Sequence, residues 1–168
     1  GLPSLAENSD LAAQAWIATA FEDREGNLWI GSYTHSLLRL WNGWTRRLSL
    51  RDGLRDAFVW SVATDPDGGL WIGTNSGVEH FHQERGFGQL ISTRDLPDPA
   101  VYHLHASAAS ELLLGTRGGL IRWRTQAFDL PAAWGELGTR SVRAVIDNAD
   151  GSRWLGTDKA LYLSTDQD

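Results

Sequence analysis

The sequence predicts an all-β fold: a β-propeller of four-stranded antiparallel blades, about four of them in this chain. Three observations predict it. The pentapeptide Leu28-Trp29-Ile30-Gly31-Ser32 returns as Leu70-Trp71-Ile72-Gly73-Thr74, as Leu112-Leu113-Leu114-Gly115-Thr116 and as Arg153-Trp154-Leu155-Gly156-Thr157. Its glycines, at 31, 73, 115 and 156, are 42, 42 and 41 residues apart. Around each copy, short apolar–polar alternations are punctuated by Gly and Asp, the pattern of antiparallel meanders. A unit of ~42 residues with about four strands has the size of a propeller blade.

The elements follow in order within each unit. An alternating first strand comes first, as in Val59-Trp60-Ser61-Val62-Ala63, Val101-Tyr102-His103-Leu104-His105 and Val142-Arg143-Ala144-Val145-Ile146. A turn follows: Asp23-Arg24-Glu25-Gly26, Asp65-Pro66-Asp67-Gly68, Asn148-Ala149-Asp150-Gly151, with Ser107-Ala108-Ala109-Ser110 a degenerate version. Asp or Asn can hydrogen-bond the reversing backbone, and Gly accepts the positive φ that closes such a loop. The pentapeptide is the second strand. After its Gly-Thr/Ser pair a second turn, with Gly77, Gly119 or Ala160, leads to a third apolar run: Leu37–Leu40, Val78–Phe81, Leu120–Trp123 and Leu161–Leu163. A looser fourth segment, such as Phe87-Gly88-Gln89-Leu90-Ile91, completes the unit, and the last copy stops after its third strand. The units run approximately over 16–57, 58–99, 100–141 and 142–168, after a lead-in over 1–15 that could form a short helix or supply a closing outer strand.

Blades stack face to face, so their strands are covered on both sides. A Trp in the second strand can fill the wide wedge between blades, and the adjacent Gly permits close backbone approach or a bulge. Trp29, Gly31, Trp71, Gly73, Leu113, Gly115, Trp154 and Gly156 are therefore expected to be the repeating core. The Thr or Ser hydroxyl is expected to bond the following turn.

Composition narrows the function. The 168 residues are 42% hydrophobic and 21% charged, as in ordinary globular domains. With 15 basic against 21 acidic residues the net charge is −6, and no basic run occurs, so nucleic acid is an unsuitable partner. No apolar stretch approaches the ~18–20 residues of a membrane span, and nothing at the start reads as a signal peptide. Cysteine is absent, which excludes disulfides and thiolate chemistry. Met is absent too, and a start at Gly1-Leu2-Pro3-Ser4 reads as an excised or processed piece of a longer chain.

These residues resemble the two-component regulator propeller repeat, approximately Val-x-x-Ile-x-x-Asp-x-x-Gly-x-Leu-Trp-Ile-Gly-Thr-x-x-Gly-Leu. Glu22-Asp23-Arg24-Glu25-Gly26-Asn27-Leu28-Trp29-Ile30-Gly31 is close to its ideal form. Asp52-Gly53-Leu54 is similar to the family's inter-blade Asp-Gly-Leu. The resemblance spans about residues 16–163, is specific in copies one and two, and is degenerate in copy three. It implies an extracytoplasmic, periplasmic sensor module of a bacterial inner-membrane receptor, with a histidine kinase or diguanylate cyclase as output. The implied ligand is a small molecule or oligosaccharide. No catalytic residue carries over, and no cofactor is implied. Membrane contact would come only through parts absent from this chain. Four repeats fit here where such propellers have seven. An open arc would bare two apolar blade faces and drive association. A fragment or a homodimer pairing open faces is therefore favoured over a closed four-bladed ring.

Candidate ligand-binding residues are Trp60, Tyr102, His103 and Arg143, which fall at equivalent or adjacent first-strand positions and could converge on the axis. Trp41 and Trp44 flank the Asn42-Gly43 hairpin turn, and one of them is expected to face solvent. His80-Phe81-His82 and His103-Leu104-His105 each put two imidazoles on one side of a strand, but no nearby carboxylate completes a metal set, so no metal is expected. Asp65-Pro66-Asp67-Gly68 lacks the remaining ligands of a calcium loop and reads as a β-turn. No Ser, His or Asp sits where a nucleophile would be activated, which argues for a non-enzyme. The alternatives are a propeller lyase or hydrolase using His103 with His105, since streptogramin lyases have similar repeats, or a structural protein-interaction ring.

Overall fold

The computed structural model describes residues 16–165 apart from 35, 93–95, 97, 108–110, 125–126, 130–134, 136 and 138. The lead-in over 1–15 lies outside the described residues.

Four antiparallel sheets follow one another along the chain. The first holds β1 (Ile17–Glu22), β2 (Leu28–Ser32), β3 (Ser36–Trp41) and β4 (Trp44–Leu48). The second holds β5 (Val59–Thr64), β6 (Leu70–Thr74), β7 (Gly77–His82) and β8 (Gly86–Ser92). The third holds β9 (Val101–Ala106), β10 (Leu112–Thr116), β11 (Gly119–Arg124) and β12 (Ala127–Asp129). The fourth holds β13 (Val142–Asp147), β14 (Arg153–Thr157) and β15 (Leu161–Ser164). Each is a simple up-and-down meander, and together they are the blades of a β-propeller. The first strands β1, β5, β9 and β13 are innermost, each lying against the next.

The turns use the chemistry that their residues offer. Gly26, Gly68 and Gly151 have φ of 79°, 81° and 86°, and their N–H groups donate to the carbonyls of Asp23, Asp65 and Asn148. Thr74, Thr116 and Thr157 hydroxyls donate to the carbonyls of Gly77, Gly119 and Ala160 at 3.1, 2.8 and 2.9 Å, closing the second turn. Between the first two blades, Ser49 caps a short 3-10 turn over Leu50–Asp52, and Asp52 returns a bond to the Ser49 N–H at 2.8 Å. In the Asn42-Gly43 hairpin it is Trp44 that faces solvent, while Trp41 lies 4.7 Å from the Arg39 guanidinium.

The core sits between blades rather than within them. Trp29, Leu37, Leu48 and Leu54 of the first blade pack on Val59, Val62, Leu70, Ile72 and Phe81 of the second. Trp71 and Val78 pack on Val101, Leu104, Leu112, Leu114 and Ile121. Leu113 and Leu120 pack on Val142, Val145 and Leu155. The repeat glycine has a matching cause. A Cβ at Gly73 would stand 2.8 Å from the Val101 carbonyl oxygen, and one at Gly115 would stand 2.7 Å from that of Val142. Only a bare Cα lets the next blade's inner strand come this close.

The fourth blade departs from the expected core. Trp154 is 36% exposed where Trp29 is 1%, and among the described residues no other blade packs against it. A Cβ at Gly156 would meet only Ala144 of its own sheet, so this glycine has no inter-blade role among the described residues.

Candidate functional site

The inner strands place side chains at the axis through a repeated irregularity. In every blade the pairing of first and second strand skips one residue: Ala18, Trp60, Tyr102 and Arg143 in turn. Such a bulge bends the strand and re-aims the extra side chain. Three of these four, Trp60, Tyr102 and Arg143, are brought together. The Trp60 and Tyr102 rings lie 4.7 Å apart at 78°, edge to face, and the Arg143 guanidinium stacks 3.9 Å over Tyr102. Tyr33 extends the row on the other side, 4.7 Å from Trp60. Asn75 fixes the indole by accepting its N–H at 2.6 Å. The three rings are half-buried and Arg143 is exposed, so one face of the row is open to solvent.

His103 does not join this row. It is one residue past the bulge and sits opposite Gly115, beside the backbone of Val145. Burial and the neighbouring His105 depress its pKa, against a hydrogen bond to the Val145 backbone. Its Nε2 is buried without a hydrogen-bond partner. The bulge leaves Val101 and Leu104, three residues apart, on one face of the strand and puts His103 on the other, where strict alternation would have kept it with Val101.

The sequence reasoning passed over Tyr33 and Asn75. Both follow the Gly-Ser/Thr pair, as do Arg117 and Asp158 in the later copies, so the repeat register carried the signal. This turn is tied to the start of the inner strand. Tyr33, Arg117 and Asp158 donate their N–H groups to the carbonyls of Trp16, Ala100 and Ser141.

The other candidate histidines lie toward the far ends of the strands. His80 meets Asp65 at 2.7 Å and stacks on Trp71. His105 meets Asp147 at 2.8 Å, and Arg153 bridges Asp147 to Glu111. Burial would raise the Asp147 pKa, but hydrogen bonds from Arg153 and His105 prevail and hold it low. A cleft of about 230 Å3 between blades two and three is lined by Asp65, Asp67, Trp71, Glu111 and Trp123. Two of its three carboxylates are already engaged, by His80 and Arg153. No group of three or more potential metal ligands occurs among the described residues.

Residues 11–34 and 53–76 match the family model described as two component regulator propeller. Those two segments are similar to the two-component regulator propeller repeat. No curated protein matches the sequence. Among solved structures, these propeller repeats are similar to the extracellular domain of a putative hybrid two-component system from B. thetaiotaomicron. That match has 19% identity and a TM-score of 0.76, over 89% of this chain and 21% of that one. A second such domain from the same organism matches at 20% identity and TM-score 0.68, over 90% of this chain and 21% of that one. Catalytically inactive virginiamycin B lyase from Staphylococcus aureus with quinupristin matches at 13% and 0.72, over 92% of this chain and 54% of that one. At such identities the likeness shows the propeller fold alone. The chain spans about a fifth of the length of the two extracellular domains.

Proposed function

We propose that this chain is a sensory, ligand-binding propeller module of a bacterial signal-transduction receptor. It acts on the extracytoplasmic side and passes ligand binding to a kinase or cyclase output. The observation that carries the reading is the open row Tyr33–Trp60–Tyr102–Arg143 at the axis. Half-buried aromatic faces take up the apolar face of a sugar or another small ring. A guanidinium already stacked on Tyr102 keeps its N–H edge free for an oxygen of the same ligand. The two-component repeat supplies the sensory context.

The module works by binding and not by catalysis. A lyase would need an imidazole at the mouth, whereas His103 is half-buried against β13 and His105 lies about 7 Å further along the strand, at ~3.3 Å per residue, held by Asp147. Titration calorimetry against a panel of neutral and acidic oligosaccharides tests the reading. Trp60→Ala and Tyr102→Ala should each weaken a bound sugar at least tenfold, and His103→Ala should not. Unchanged affinity in both aromatic variants would remove the assignment.

A further inference from the structure

The second blade lacks a bond that the first blade makes. In the first blade Asp23 accepts the Trp29 indole N–H at 2.7 Å, Asn27 also bonds the Asp23 carboxylate, and Arg39 stacks over the indole. Asp65, Gly69, Trp71 and His80 occupy the same four positions in the second blade. Gly69 has no side chain to hold the carboxylate, and it leaves room for the imidazole. A Cβ there would stand 2.5 Å from His80 Nε2. His80 therefore lies over Trp71, with ring centroids 4.4 Å apart, and meets the Asp65 carboxylate at 2.7 Å. The Trp71 indole N–H is left with no acceptor among the described residues, although the residue is only 8% exposed. A donor so deeply set is costly to leave unmet.

That indole lines the cleft of about 230 Å3 between blades two and three. Trp123 stands beside it, half-buried, with ring centroids 5.1 Å apart at 67°. On the wall, Asp65 and Glu111 are answered by His80 and Arg153. Asp67 is exposed at the rim and makes no ion pair among the described residues. The cleft therefore offers a carboxylate without a cation, indole surface, and an N–H without an acceptor. Carboxylate and indole both favour a cation, whereas the N–H requires an oxygen. We propose that the cleft binds a small organic ammonium that also carries a hydroxyl or carbonyl oxygen. The ammonium is held by Asp67 and the Trp123 indole, and the oxygen accepts from Trp71. A neutral polyol would leave the Asp67 charge unmatched. The other blade junctions do not repeat the site. Asp23 already satisfies the Trp29 N–H, and the third blade has Leu113 where the indole would stand. This inference is independent of ligand binding at the axis.

Choline is the probe, because it joins a quaternary ammonium to one hydroxyl. Two comparison compounds separate its parts: the uncharged isostere with carbon in place of the ammonium nitrogen, and tetramethylammonium, which lacks the oxygen. The indole N–H resonances, assigned by triple-resonance NMR, are followed through each titration. Choline should move the Trp71 N–H, with a dissociation constant on the order of millimolar for so few ligand atoms. The isostere should bind about fivefold more weakly or worse, since it forfeits the cation–π and carboxylate attraction. Tetramethylammonium should bind more weakly than choline and move the Trp71 N–H less. Trp71→Phe keeps a ring but not the donor and should weaken choline. Asp67→Asn, at an exposed turn position, should weaken it as well and keeps the test valid if Trp71→Phe does not fold. Equal responses to choline and its isostere would overturn the proposal. So would undiminished affinity in Asp67→Asn, or a Trp71 N–H that stays in place at high millimolar choline.

Discussion

At the scale of single residues, the turn aspartate shows how the repeat is held. Asp23 is buried, and its two oxygens accept from the Trp29 indole at 2.7 Å, from the Asn27 side chain and from the Asn27 and Glu25 N–H groups. Burial would raise its pKa, but these bonds prevail and hold it below the usual carboxylate value. The folded pKa is thus below the unfolded one. The stabilisation is present above about pH 4, the unfolded value, and is lost as pH falls toward the folded one. Asp23→Ala should cost about 2–3 kcal/mol at pH 7, because it strands buried donors. In urea titrations the gap to the parent protein should narrow at pH 3. The glycines give a second contrast. Gly73→Ala puts a Cβ 2.4 Å from Ser61 Oγ and 2.8 Å from the Val101 carbonyl, whereas Gly156→Ala meets only Ala144 Cβ at 3.3 Å. Thermal melts should show a loss of about 1–3 kcal/mol for the first, the usual cost of overpacking, and under ~1 kcal/mol for the second.

At the scale of elements, strand and turn were legible and exposure was not. The meander could be read because its signals are local. Alternation has period two, and Asp-x-x-Gly closes a turn within four residues, as the positive φ at Gly26, Gly68 and Gly151 shows. Equivalent strands nevertheless differ in what they cover. β3 and β15 carry Leu37 and Leu161 at the same register, one sealed by the next blade and one open. Leu37→Ala should therefore cost about 2–5 kcal/mol, as buried Leu→Ala changes do. Leu161→Ala, at a position 66% exposed, should stay within ~0.5 kcal/mol. Equal costs for the two would contradict the difference in packing. The inner-strand bulge is also an element-scale device, since it turns Trp60, Tyr102 and Arg143 out of strict alternation toward one another.

At the scale of the molecule, each blade borrows its core from the next. All three apolar clusters combine residues of two neighbouring blades. Unfolding should therefore be a single transition, with circular dichroism and tryptophan fluorescence coinciding. Separate midpoints would mean that blades melt independently. Amide exchange should be fastest in β15, whose sheet has three strands and one bare face, and slowest in the second and third blades.

By itself the sequence determined the propeller, its blade length, its turn chemistry and the glycine that the repeat requires, since all of these are written in contacts a few residues apart or in a 42-residue period. The tertiary structure decided which indoles are covered. It also gathered Tyr33 into the row with Trp60 and Tyr102 and turned His103 away from it. Those outcomes depend on pairs about 27 to 42 residues apart and on which blade packs on which face, and no local pattern encodes either one.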